Sequence, residues 1–235
     1  PAVTVIVPAY NAADTLGRCL DSVVGEDLGG MEIIVVDDGS TDETSAVARK
    51  YPQISLVWQE RCGVAVARWL GIRESRGEYI GFVDADDFIA PDMMRSMYEA
   101  AAGSGADIAV CGSNKVWNGV VFPHNLYGAS EPESGIDAVT QIILRKGEQS
   151  LWNKIFRRSL FREEDLERTR GIRHGEDQLL AALTIRFARK VVYLPQVFYY
   201  YVQTPGSICH NPTFESARDS FNAKRFLYRF FLSSE

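Results

Sequence analysis

Over its first hundred residues the chain alternates short β-branched runs with helical patterns, and no other feature limits its fold as much. Residues 3–7 precede a helical stretch at 14–24, 32–36 precede 41–50, 55–58 precede 64–73, and 79–83 precede 91–101. Short apolar runs bounded by polar turns read as buried strands, and longer stretches with apolar residues three and four apart read as helices. Their alternation calls for βαβ units on a mostly parallel sheet. Right-handed crossovers then put helices on both faces and gather the carboxyl ends of the strands along one edge.

Polar residues concentrate at those strand ends. The first strand opens into Pro8-Ala9-Tyr10-Asn11, the second into Asp37-Asp38-Gly39-Ser40, and the run 79–83 into Asp84-Ala85-Asp86-Asp87. One crevice therefore receives an aromatic ring and several carboxylates. Asp84 and Asp86 are two residues apart, so in extended backbone their side chains project to the same side. Hard oxygen ligands on one short segment suit Mg²⁺ or Mn²⁺, which keep other positions for water and phosphate oxygens. The same loop also suits a structural purpose, with Asp86 or Asp87 capping the turn ahead of Pro91. Ser40 with Glu43 fits a capping box and Asp42 suits a positive helix end, whereas Asp37 has no such structural reason to stand there.

Beyond Asp107 the alternation weakens. Residues 108–110 read as a strand, 111–128 as loops or an edge hairpin, 134–146 and 176–189 as helices, and 191–202 as β-rich. Residues 214–232 read as a terminal helix carrying Phe221, Leu227, Phe230 and Phe231, and the mixed-charge run 162–170 as a solvated helix face. The net charge of -6 and pI near 5.2 argue against general attraction to nucleic acid or anionic lipid, so an anionic ligand must be met locally by metal, Arg or Lys. Cys19, Cys62, Cys111 and Cys209 are scattered without a CxxC pair, the usage of a reduced cytosolic protein. No apolar stretch is long enough to cross a bilayer, and a chain starting Pro1-Ala2-Val3 without Met is expected to be a trimmed piece.

Taken in their order and spacing, the strand-end motifs from Pro8, Asp37 and Asp84 resemble those of family-2 inverting glycosyltransferases of the GT-A fold, over about residues 3–208. The resemblance implies an α/β, Rossmann-like, mostly parallel sheet flanked by helices, with C-terminal helices on the acceptor side. Residues 1–110 would form the nucleotide-sugar-binding half, 111–212 the acceptor-binding and catalytic-base half of the same domain, and 213–235 a truncated C-terminal helix. It implies that Pro8, Tyr10 and Asp37 bind uridine and that Asp84 and Asp86 bind ribose, diphosphate and metal, with Asn11, Asp38, Arg68 and Ala85 completing the donor set. Residues 152–158, Trp152-Asn153-Lys154-Ile155-Phe156-Arg157-Arg158, are similar to a segment lining the acceptor side. Gly175-Glu176-Asp177 resembles the pair that supplies the catalytic base. Trp152 and Lys154 equally suit core packing, whereas first-turn helix charge is the lesser reading of Glu176 and Asp177. Ser207 is assigned to the acceptor or phosphate side, and His210 is a further candidate metal ligand; His174 and His210 also read as surface or capping histidines.

The chain departs from the family at several positions. Arg61 precedes Cys62-Gly63-Val64 where Asn is frequent, Trp69 replaces a common Asn, and Val202 and Thr204 stand where Arg is common. The leaving group would then be held by the metal, Lys154, Arg173 or His210. The implied reaction is a single in-line displacement that moves a hexosyl or N-acetylhexosaminyl group from a UDP-sugar to a glycan or lipid-linked glycan, in polysaccharide or cell-surface glycan synthesis. Asp177 would take the hydroxyl proton, with Glu176 the next candidate, and a helix N-terminus would keep Asp177 ionised and weakly basic. The expected setting is cytoplasmic or peripheral at the inner face of the membrane, with the terminal helix docked on the domain, on another copy or on that membrane. The second reading is a degenerate transferase that only holds nucleotide or glycan, which the substitutions at Arg61, Trp69, Val202 and Thr204 favour.

Overall fold

A computed structural model of the chain describes residues 1–26, 28–127, 133–143, 149–172, 174–203 and 213–232. Its first half runs β1 (Val3–Ala9), α1 (Ala13–Val24), β2 (Glu32–Asp37), α2 (Thr44–Ala48), β3 (Ser55–Trp58), α3 (Val64–Glu74) and β4 (Tyr79–Phe82). These four strands are parallel in the order β3-β2-β1-β4, with Val5 beside both Ile33 and Gly81 and Val35 beside Leu56. β1 is buried along its whole length, which is why its sequence is a continuous β-branched run and not an alternating one.

The second half runs β5 (Phe88–Ile89), α4 (Met93–Ser104), β6 (Ile108–Trp117), β7 (Val120–Asn125), α5 (Gly135–Ile143) and β8 (Lys154–Arg157). A short 3₁₀ turn (Arg158–Leu160), α6 (Glu163–Thr169), α7 (Glu176–Ile185), β9 (Val191–Gln203) and α8 (Phe214–Leu232) follow. The sheet continues past β4 as β8-β6-β9-β5, with β7 attached to β6. Here it is mixed: β8 is antiparallel to β4 and β6, β9 parallel to β6, and β5 antiparallel to β9. The edge hairpin expected after residue 110 is β6-β7, turned by Asn118 and Gly119 at φ 48° and 78°, the positive pair that a tight hairpin with right-handed twist demands.

Successive residues of β1 feed opposite faces. Val5 and Val7 pack with Leu16, Leu20, Met93 and Met97, while Ile6 packs with Ile34, Phe82, Phe156, Leu179 and Leu183. Each such side chain contributes about 1.5–3 kcal/mol when buried. α3 lies unusually close to the sheet, because a Cβ on Gly71 would stand 2.5 Å from Ile6 Cγ2. That closeness brings Arg68, one turn earlier, to the strand ends.

Some local expectations change. The Ser40–Glu43 capping box does not form: α2 starts at Thr44, Ser40 Oγ accepts the Asn11 N–H, and Asp42 accepts from Thr44 and from the Ala13 N–H. The run 162–170 is not simply solvated, since Asp165 is 1% exposed and ion-paired with Arg168 (2.8 Å) and Arg186 (2.9 Å). The terminal helix docks on its own domain, with Ala223 and Leu227 buried against the layer that holds α7 and Phe226, Phe230 and Phe231 packed beside them.

Candidate active site

Loops after β1, β2 and β4 meet at the expected edge. Asn11 sits at φ 47°, a left-handed geometry that its short polar side chain tolerates. Its N–H donates to Ser40 Oγ (3.0 Å) and its side-chain oxygen accepts the Thr41 N–H (2.8 Å), which ties the first loop to the second. Pro8 is buried in β1 opposite Val36. Asp37, 1% exposed, accepts the Ser40 N–H at 2.9 Å and the Ser45 hydroxyl. Asp38, 4% exposed, accepts from Gln59 Nε2 (2.6 Å) and from the N–H groups of Cys62 and Gly63 (2.8 Å each). The segment before α3 is thereby fastened over the second loop, so closely that a Cβ on Gly39 would meet the Arg61 nitrogen at 2.7 Å. Arg61 consequently lies on the Tyr10 ring, its guanidinium carbon 3.9 Å from the centroid, in a cation–π contact.

After β4 the backbone is not extended as expected but turns, the Asp87 N–H donating to the Asp84 carbonyl at 3.0 Å; Ala85 joins the core, while Asp86 reaches solvent and Asp84 keeps 28% of its side chain exposed. Asp86 reaches solvent from a concave site, and that enclosure, followed by the charge of Asp84, raises its pKa. Arg18 donates to the Asp86 carbonyl (2.5 Å) and fixes this turn. Asp87 does not cap the turn ahead of Pro91. It is fully buried and accepts from the Tyr199 hydroxyl (2.7 Å) and the Val202 N–H (2.7 Å), and burial followed by the charges of Asp84 and Asp86 pushes its pKa well up. The Tyr199 oxygen also accepts the Asp84 N–H at 3.1 Å, so β9 supports the acidic loop from beneath.

Arg68 joins this loop to the start of α7. Its Nη2 donates to Asp84 Oδ1 and its Nη1 to Glu176 Oε1, both at 3.0 Å, with only 6% of its side chain exposed. Burial alone would depress its pKa, but Asp84, Glu176 and Asp177 override burial and hold it charged. Asp177 stands half-buried beside this pair, and its pKa is raised to about 7, first by the desolvation of its recessed carboxyl and then by the charge of Glu176, against the opposing pull of Arg68. The helix N-terminus does not keep it a weak base, because loss of solvent outweighs the dipole.

Trp152 and Lys154 are both buried. Trp152 stacks on Tyr199 (4.3 Å between centroids) and Tyr201 (5.9 Å), while the Lys154 ammonium donates to the Ser150 carbonyl and Asn153 Oδ1, both at 2.7 Å. Arg173, Thr204, Ser207 and His210 lie outside the described residues. Tyr199 was not singled out among the sequence candidates. The signal for it was the alternation of Tyr199 and Tyr201 on one strand face.

Among the described residues no group of three or more His, Cys, Asp or Glu side chains forms a protein cage for a metal. Asp84 and Asp86 nonetheless fit a hard divalent cation that takes two carboxylates and fills its other positions with water and phosphate oxygens. Both remain accessible, and a cation between them would relieve the repulsion from Asp84 that, after desolvation, raises the pKa of Asp86.

Comparison with known proteins places this arrangement among glycosyltransferases. The family described as glycosyl transferase family 2 matches residues 4–169. An uncharacterized glycosyltransferase, EpsJ of Bacillus subtilis, is 30% identical over 96% of this chain and 68% of its own length. Staphylococcus aureus TarS, residues 1–349 in complex with UDP-GlcNAc, superposes with a TM-score of 0.80 over 97% of this chain and 65% of that one at 23% identity. The mannosyltransferase PcManGT of Pyrobaculum calidifontis, in complex with GDP-Man and Mn²⁺, superposes with a TM-score of 0.61 over 97% of this chain and 70% of that one at 22% identity. At those identities the likeness to the solved structures is one of fold. The chain spans between 31% and 68% of the length of the curated relatives that match most of it.

Proposed function

This chain belongs to glycosyl transferase family 2, and on that premise we propose that it moves a sugar from a UDP-sugar to the hydroxyl of a glycan or lipid-linked glycan, with inversion. The observation that carries the reading is the Arg68 bridge, which joins the acidic loop after β4 to the helix that bears Asp177. A diphosphate side and a base side are thereby held as one unit.

In this reading the nucleoside lies along Pro8, Tyr10 and the loops shaped by Asn11, Asp37 and Asp38, with the Arg61–Tyr10 pair at its edge. Asp84 and Asp86 would hold Mg²⁺ or Mn²⁺, which when bound offsets charge building on the departing diphosphate. Asp177 takes the proton of the attacking hydroxyl. A carboxylate with a pKa of about 7 is half ionised at neutral pH and a far better acceptor than one in the ordinary range, which matches the demand on a general base. Glu176 supports that basicity by its charge, and Arg68 holds Glu176 in place. Trp152 and Tyr199 carry the floor of the crevice. The UDP-GlcNAc complex of TarS supports the choice of donor class, and the Mn²⁺ complex of PcManGT supports the metal.

The test is a panel of nucleotide sugars with Mn²⁺, measuring nucleoside diphosphate release with and without acceptor glycans. Acceptor-stimulated release from one UDP-sugar is the expected result. Tight UDP binding with no release from any donor would reduce the chain to a binding module.

A further inference from the structure

α8 has two faces. Taking about 100° per residue, Ala223, Phe226, Leu227 and Phe230 fall on one side, and these are the residues packed on the domain. Within an opposite sector about 100° wide fall Phe214, Arg218, Phe221, Arg225, Tyr228 and Arg229. All six are exposed: Phe214 by 84%, Phe221 by 62%, Tyr228 by 61% and the Arg218 side chain by 57%, with Arg225 and Arg229 also in solvent. Glu215 lies at the margin of this sector, and Asp219 meets Arg218 only at 3.8 Å. The stripe thus interleaves three aromatic rings with three guanidinium groups.

That pattern is unusual on a chain with 31 acidic and 25 basic residues. A solvated helix face has no need of exposed phenylalanines, and an apolar contact between protein copies has no need of three cations in the same sector. Rings at headgroup depth and arginines reaching for phosphate do suit an anionic lipid surface. No helix among the described residues is long and apolar enough to cross a membrane, so the contact would be one of lying on the surface. We propose that the outer face of α8 docks this domain on an anionic membrane surface.

The docked orientation would be passed to the crevice. α8 packs against the start of α7, where a Cβ on Gly175 would stand 3.3 Å from the Ala223 Cβ, two residues before Asp177. The chain's net charge of -6 is repelled by the same surface, which favours presenting the stripe to it.

The experiment is co-sedimentation of the chain with vesicles of phosphatidylcholine alone, or mixed equally with phosphatidylglycerol, at low and high salt. The proposal expects binding to the mixed vesicles only, weakened by salt. Each basic residue near such a surface is worth about fivefold in partitioning, so Arg218→Ser, Arg225→Ser and Arg229→Ser together should cost about a hundredfold. Phe221→Ser should weaken binding further while circular dichroism and UDP binding stay unchanged. No binding to anionic vesicles at low salt would overturn the proposal, as would equal binding to neutral ones. A concentration-dependent dimer that Phe221→Ser dissolves would overturn it in favour of a second copy.

Discussion

Replacing Arg68 by Met removes a cation that touches both Asp84 and Glu176 at 3.0 Å while roughly preserving its volume. Breaking a buried ion pair from one side typically costs about 3–5 kcal/mol, because the partner is left charged and poorly solvated. Asp84 retains 28% side-chain exposure and can recover some hydration, whereas Glu176 retains 11% and cannot, so about 3 kcal/mol at pH 8 is the expected loss. Protonation of the stranded carboxylates relieves the penalty, so the deficit should shrink as pH falls towards 5. Arg68→Lys keeps the charge but cannot fork to both acids, and should lose about half as much. Urea unfolding at pH 8 and pH 5 measures this directly. A loss below about 1 kcal/mol at pH 8, or one independent of pH, would refute the view that the bridge holds the two sides together.

Other outcomes follow from the same geometry. With Asp177 as the proposed base and its pKa raised to about 7, kcat/KM should rise with pH and level off above about 7; a profile flat from pH 5 to 8 would contradict this. The raised value also means that the folded state holds a proton the unfolded chain has lost between pH 3.8 and about 7, so this group's contribution to stability falls as pH rises through that window. Calorimetry of Asp177→Asn should show that slope reduced. UDP should bind far better with Mn²⁺ than with chelator, and Asp86→Asn should lose the difference; equal binding in chelator, seen by titration calorimetry, would remove the metal from the site. Gly71→Ala should destabilise the fold by about 1–3 kcal/mol by forcing a methyl group against Ile6, and an unchanged Tm would show that α3 is free to shift.

The parallel half of the sheet was legible because β1, β2 and β4 are buried on both faces, and such strands read as near-continuous apolar runs. β8 was not legible as a strand, although its residues were noted as a motif. Its apolar portion is only Ile155-Phe156, and its place between β4 and β6 depends on long-range pairing. Asp84 and Asp86 could be named in advance because they follow the end of a buried strand, although the backbone there is a turn and not the extended segment expected. The environment of Asp177 could not, since loss of solvent and then the charge of Glu176 set its basicity against the pull of Arg68, and the helix end alone argued for the opposite sign. The Ser40 hydroxyl likewise answers to Asn11 on another loop and not to its own helix.

The central claim is that one crevice binds UDP-sugar through the acidic loop and removes the acceptor proton through Asp177. Asp177→Asn separates these functions, because the amide keeps the shape of the site and cannot accept the proton. UDP and Mn²⁺ affinity should stay within about twofold of the parent, while acceptor-dependent transfer falls by about a hundredfold or more. Transfer at the parental rate would take Asp177 out of the chemistry and contradict the account.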